Sequence, residues 1–225
     1  MFIFYFGEVM KVSNIRAILF DMDGTLVQSL SEVEVIWSKW CDMHNIPVKR
    51  VLEICHGVRS IDVILSVAPY LNVEEQIQIL NDLEIEYSNT AKALPGAKEF
   101  LHSLGYCPWA VVTSASQSVA YHRMKICGLN IPDLIVGSDD VLNGKPHPEP
   151  YLMAAKCLNV AVEDCLVFED ANAGVQSALA AGCKVIQIGG EEKMFDSVIE
   201  VVNDWNEVNI SSMGHYTFKI SITPS

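Results

Sequence analysis

"RAILFDMDGTL", residues 16–26, runs four apolar residues straight into two aspartates placed two positions apart. A short apolar run bounded by turn residues reads as a buried strand. Strands apolar on both faces belong to parallel sheets covered by helices. Two carboxylates about 4 Å apart repel by on the order of 4 kcal/mol at a surface-like effective dielectric. An Asp-Gly turn would need only one of them. Asp21 and Asp23 therefore ask for something that offsets their charge, and a divalent cation would do so.

The same strand pattern returns later in the chain. "CPWAVVTS", "DLIVGS", "DCLVFED" and "KVIQIG" read as strands, separated by helical stretches in "ASQSVAYHRMKICG", "PEPYLMAAKCLN" and "ANAGVQSALAAG". Repeated βα units predict an α/β fold with a Rossmann-like, doubly wound parallel sheet. Residues 28–93 break the rhythm, with helical stretches near 30–44, 47–55, 59–68 and 73–91. In the last of these, Ile77, Leu80, Leu83 and Tyr87 give one apolar face. The expected organisation is an α/β core at 15–27 and 94–203, an inserted small helical domain at 28–93 hinged at "TLVQS" and "KALPGA", an N-terminal extension at 1–14 and a C-terminal tail at 204–225. "MFIFYFGEVM" reads as a frayed extension in preference to an extra strand, and "HYTFKISITPS" as one late edge strand. There is no internal repeat and no low-complexity tract.

Composition narrows the function classes. Of 225 residues, 15 are basic and 28 acidic, a net charge of −13 that repels phosphate backbones and argues against nucleic-acid binding. No segment has the length of a membrane span or a signal-peptide layout. Seven cysteines, an odd number with no C-x-x-C pair, read as reduced buried thiols and point to a cytoplasmic protein.

Ligands of open parallel sheets bind beyond the carboxyl ends of the strands. Four polar groups stand there. Asp21 and Asp23 follow the first strand. Thr113 and Ser114 follow the second, where "SASQ" (114–117) also fits a capping box with Ser114 as N-cap. Lys145 sits in a loop stiffened by Pro146, Pro148 and Pro150. Glu169 and Asp170 end the "CLVF" strand, where Asp170 is equally readable as an N-cap. Each has a structural reading by itself. Together they form a constellation for phosphoryl transfer, in which carboxylates suit Mg²⁺ and lysine and hydroxyl suit phosphoryl oxygens.

"DMDGT", "VTSAS", "GKPHPEPYL" and "VFEDANAG", in that order, make the sequence resemble the haloacid dehalogenase superfamily of phosphotransferases over roughly residues 15 to 190. The helical insertion after the first motif resembles the mobile cap of the β-phosphoglucomutase-like branch. "HGVRSID" (56–62) and "ALPGA" (93–97) are similar to bacterial sugar phosphatases and fungal glycerol and deoxysugar phosphatases. Gln28 departs from the aspartate that relatives usually carry at the hinge. The resemblance implies a Mg²⁺-dependent phosphatase of small sugar or polyol phosphates. Asp21 would be the nucleophile forming an aspartyl-phosphate and Asp23 the general acid and base. Metal ligands would be Asp21, the Asp23 backbone carbonyl and Asp170, with Glu169 close by. Ser114 or Thr113, with Lys145, would hold the phosphoryl group. In the cap, Arg59 would contact substrate, His56 would bond a hydroxyl or cap a helix, and Gly57 would allow close approach. The alternatives are a β-phosphoglucomutase-type mutase and a non-catalytic sugar-phosphate sensor. No nucleic acid or membrane partner is expected, and a monomer is compatible with this reading.

Overall fold

The structure, a computed structural model, describes residues 9–190, 192–214 and 217–223. In chain order the elements are β1 Met10–Ile15, β2 Ala17–Phe20, β3 Val27–Gln28, α1 Leu30–His44, α2 Val48–Leu52, α3 Ser60–Val67, α4 Val73–Tyr87, β4 Lys92–Ala93, α5 Ala97–Ser103, β5 Trp109–Val112 and α6 Gln117–Ile126. After these come β6 Ile135–Val136, α7 Glu149–Cys157, β7 Cys165–Glu169, α8 Asn172–Ala181, β8 Lys184–Ile188, β9 Glu200–Val202, β10 Val208–Gly214 and β11 Thr217–Ile222.

Six strands form one sheet in the order β6-β5-β2-β7-β8-β9, and every pair in it is parallel. The "AILF" strand β2 lies inside it, buried at all four residues. Successive side chains of a strand point to opposite faces, so one short run feeds two cores. Ile18 and Phe20 join Val111, Leu166 and Phe168 against Phe100 of α5 and Met124 of α6. Ala17 and Leu19 join Ala110, Val112 and Val167 against Tyr151 of α7 and Val175 of α8. A switch in strand order at β2 brings the ends of β5, β2 and β7 side by side, the arrangement in which such sheets hold ligands.

Helices α1 to α4 stand between β2 and β5 and own a third core, built on Trp37, Trp40, Val63, Ile64 and Leu80. The chain enters and leaves this block through β3 and β4, two short strands paired antiparallel with Gln28 opposite Lys92.

Order begins earlier and runs later than the hydrophobic pattern suggests. β1 pairs antiparallel with β11, and β11 with β10, in a separate three-stranded sheet. The tail strand is thus the middle of a sheet, not an edge, because β10, just before it in sequence, flanks one side and β1, from the other end of the chain, flanks the other. Phe218, Ile220 and Ile222 alternate inward onto the same core as Phe20. The expectation of fraying upstream concerns residues that, up to residue 8, lie outside those described.

Trp205 locks this end of the molecule to the first motif. Its ring lies 4.7 Å from both Phe100 and Phe168, and 5.5 Å from Phe20. Its indole N–H donates to the Thr25 carbonyl at 2.9 Å. Trp205→Ala should lower stability by about 3–5 kcal/mol, the usual cost of emptying a buried tryptophan site, as read by urea unfolding.

Candidate active site

β2 delivers Asp21 and Asp23, and β7 delivers Glu169 and Asp170, at neighbouring strand ends. Carboxylate oxygens of Asp21, Glu169 and Asp170 lie within 4.8 Å of one another, a grouping able to hold a metal ion. Lys145 comes from the loop before α7 and is buried among them. Its ammonium donates to Asp21 Oδ1 at 2.6 Å, to Glu169 Oε1 at 2.6 Å and to the Val112 carbonyl at 2.9 Å. All of its donors are therefore spent on the ends of β2, β7 and β5.

Three carboxylates against one ammonium set the electrostatics. Burial, and then Glu169, push the Asp21 carboxyl up to about 8 despite the pull of Lys145. Burial, with Asp21 and Glu169, raises Asp170 well above the ordinary carboxylate range. Burial opposes the Lys145 charge, but the two carboxylates outweigh it and raise its pKa. Tyr151, raised by burial and then by Glu169, stays a phenol and donates to Glu169 Oε1 at 2.9 Å. Glu169 Oε2 accepts the backbone N–H groups of Asp170 and Ala171, both at 3.0 Å. Protein donors thus engage both oxygens of Glu169, whereas the Asp170 carboxylate accepts, among the described residues, only from Thr25 Oγ1, at 3.0 Å.

Two capping expectations fail. The N-cap of α6 is Ser116, whose side chain accepts from Val119 N–H. Ser114 is therefore no cap, and its hydroxyl donates to the Gly57 carbonyl at 2.8 Å. Thr113 Oγ1 accepts from Ala115 N–H at 3.1 Å. The N-cap of α8 is Ala171 and not Asp170, so that carboxylate stays with the acidic cluster.

The cleft over these groups is open to solvent at its mouth and is bordered by Asp21, Asp23, Thr113, Ser114 and Asp170 from the sheet side. Across it stand Trp37, His56, Gly57 and Glu84 of the helical block. Gly57 has φ +71°, and a Cβ there would crowd the Ala171 methyl at 2.6 Å, so glycine is what lets this loop reach the strand ends. His56 lies beyond the end of α2 and is not its C-cap, which is Glu53.

Arg59 stands beside this cleft, between Val58 and Ser60 that border it, and lines an adjoining pocket with Ser60, Glu84 and Ser114. Its guanidinium is held by Asp62 at 2.8 and 3.1 Å and by the Val141 carbonyl at 3.0 Å. With a carboxylate three residues on and a core-loop carbonyl in reach, the side chain fastens the helical block to the loop before Lys145.

Arg123 and Glu84 were not anticipated. Arg123, on α6, is 1% exposed and forms a short ion pair with Asp23 Oδ1. Its other arm reaches Glu84 Oε2 of α4 at 3.4 Å. Burial raises the Glu84 carboxyl to about 7 even beside Arg123. The available signal was position. Val119, Ala120 and Met124 form the buried stripe of α6, and a charged residue on such a stripe is rarely buried unless paired.

All seven cysteines are free, six of them buried and Cys157 exposed. Among the described residues, no helix is long and apolar enough to cross a membrane.

Comparison with known proteins agrees with this geometry. Residues 18–188 match the haloacid dehalogenase-like hydrolase family. The chain is 40% identical over 178 residues to hexitol phosphatase A of Escherichia coli (strain K12), covering 77% of this chain and 82% of that one. It is 33% identical over 187 residues to glycerol-1-phosphate phosphohydrolase 2 of Saccharomyces cerevisiae, covering 78% and 75% respectively. In fold it resembles β-phosphoglucomutase from Clostridium difficile, with a TM-score of 0.72 and 23% identity over 85% of this chain and 92% of the other. The chain belongs to the haloacid dehalogenase-like hydrolases.

Proposed function

We propose that this protein is a Mg²⁺-dependent phosphatase of small sugar or polyol phosphates, working through an aspartyl-phosphate on Asp21. The observation that carries the reading is the meeting of Asp21, Glu169, Asp170 and Lys145 beneath a cleft that Asp23 also borders. The two similar phosphatases, of hexitol and glycerol phosphates, support the substrate class.

The acidic cluster fits a hard divalent cation. With all three carboxylates ionised, two negative charges would remain uncompensated by Lys145. Oxygen donors on neighbouring strand ends are what Mg²⁺ accepts. Gly24 guards this space, since a Cβ there would overlap the Asp170 carboxylate. Asp21 and Asp170, with the Asp23 carbonyl, would hold the ion, while Glu169 is engaged by Lys145, Tyr151 and two backbone N–H groups. When bound, the ion would neutralise the carboxylates and the phosphoryl charge.

The chain's own groups do the rest. Asp21 attacks phosphorus while Asp23 gives a proton to the departing sugar oxygen; Asp23 then takes a proton from the water that hydrolyses the intermediate. Lys145 offsets charge developing on the phosphoryl oxygens. Thr113 suits a phosphoryl oxygen better than Ser114, because the Ser114 proton is used on Gly57 whereas Thr113 Oγ1 accepts from the backbone and keeps its own proton to give. The helical domain at 28–93 acts as the cap that excludes water and selects the leaving group. A mutase would need a second phosphate anchor across the cleft. Arg59 is engaged by Asp62 and the Val141 carbonyl, and Arg123 by Asp23 and Glu84, so hydrolysis is the reading favoured. A cytoplasmic location follows from the unpaired thiols and the small phosphorylated substrates.

A screen of hexitol, glycerol and deoxysugar phosphates should show phosphate release without isomerised product, and an isomer in place of free phosphate would overturn the assignment. Asp21→Asn should lower kcat by about 10³-fold or more. EDTA should abolish turnover and added Mg²⁺ restore it. Gly24→Ala should weaken the apparent Mg²⁺ affinity by about tenfold or more, measured as the Mg²⁺ dependence of rate.

A further inference from the structure

The phosphatase reading assigns a task to Asp23 but does not explain what aims it. Asp23 Oδ1 is gripped from two sides, by Arg123 Nη1 and by the Ser29 hydroxyl, both in short hydrogen bonds. Asp23 Oδ2 accepts no hydrogen bond among the described residues, and the residue borders the cleft. One oxygen is anchored and the other is left for the reacting atoms.

Arg123 is built into the molecule as a junction. It rises from α6 of the α/β core, Nη2 reaches Glu84 on helix α4 of the helical block, and Nε donates to the Ser88 hydroxyl at 3.4 Å, just beyond that helix. Ser29 lies at the entry to the block, beside Gln28 of β3. The side chains that hold Asp23 thus come from the hinge and from a residue the block itself contacts.

We propose that Arg123 is a positioning residue for the proton-transfer step, holding Oδ1 of Asp23 so that Oδ2 faces the leaving oxygen and tying that aim to the helical block through Glu84. The proposal rests on the phosphatase reading. In the step concerned, an Asp21 oxygen forms the new bond to phosphorus and the P–O bond to the sugar or polyol breaks. The departing oxygen keeps the electron pair and receives the proton from Asp23 Oδ2, which is left as a carboxylate. A misaimed Asp23 penalises leaving groups that need that proton and spares those that do not.

The test compares kcat/KM, which reports only the steps up to loss of the leaving group, for glycerol 1-phosphate and a hexitol phosphate against p-nitrophenyl phosphate, whose leaving group departs without a proton. The wild type must first release phosphate from these compounds; failure there would sink the phosphatase reading and the proposal that rests on it, whereas the comparison of variants on an active wild type bears on the positioning role alone. Arg123→Met keeps the apolar length of the side chain. It should lose about 10²-fold on the polyol phosphates, the lower range for general acid catalysis, and only a few fold on p-nitrophenyl phosphate. Arg123→Lys, which can keep one contact to Asp23, should recover part of the loss. Glu84→Gln should show a smaller loss with the same preference. Any unfolded fraction cancels because both substrates are assayed on one preparation, and Arg123→Lys serves where the methionine variant does not fold. Equal losses on both substrate types would make Arg123 merely structural, and a raised KM with unchanged kcat would make it a phosphate anchor. Either result overturns the proposal, and a Glu84→Gln loss without substrate preference removes the link to the helical block.

Discussion

The Lys145 ammonium is the interaction on which the site depends. It sits where the ends of β5, β2 and β7 meet and donates to one group from each: the Val112 carbonyl, Asp21 and Glu169. Without it, three carboxylates would face one another in a buried space, and removing one partner of a buried charge pair typically costs several kcal/mol. With it, Asp21 has one oxygen fixed, and Glu169 is held between the ammonium, the Tyr151 phenol and two backbone N–H groups. The same lysine that suits a phosphoryl group is thus the cation that lets the unliganded strand ends come together.

That junction also divides the acids by role. Glu169 is saturated by protein donors, whereas among the described residues the Asp170 carboxylate is bonded only through Thr25 and that of Asp21 only through Lys145. Asp21, raised by burial and then by Glu169, and Asp170, raised by burial and then by Asp21, both keep oxygens to spare. Crowding that is unfavourable for the protein alone becomes favourable once a divalent cation enters, which is how a site stores affinity for an ion.

The sheet and its strand-end acids were legible in the sequence because their signals are local and redundant. An apolar run followed by DMDGT, VTSAS or VFED places a functional group at a strand end whatever the rest of the chain does. Other features depend on partners far away. β1, polar at three of its six positions, gains its place only by flanking β11 from the other end of the chain. Ser114 and Asp170 carry cap chemistry in their sequence context, yet tertiary partners claimed their side chains, Gly57 in one case and Thr25 in the other. For Arg59, nothing in its own segment reveals that the Val141 carbonyl lies within reach. Arg123 was legible only as a charge out of place on a buried stripe, since both of its carboxylate partners are at least 39 residues away.

The net charge of −13 and an anionic substrate are compatible because the relevant field is local. Charges more than about 8–10 Å apart across solvent are largely screened at physiological ionic strength. The acidic excess therefore acts mainly on large polyanions, which meet many surface charges at once, and much less on one phosphoryl group inside a cleft. There the nearest cations are Lys145 and Arg123, both buried, where screening is weak. Each is matched to an aspartate of the DMDGT motif, Lys145 to Asp21 and Arg123 to Asp23. This pairing has a consequence for selectivity. Cations already matched to protein carboxylates cannot grip every passing anion, so under the proposed function binding strength would come from the metal ion and from contacts across the cleft. A surface that repels nucleic acid and a cleft that admits a small phosphate ester then follow from one distribution of charge.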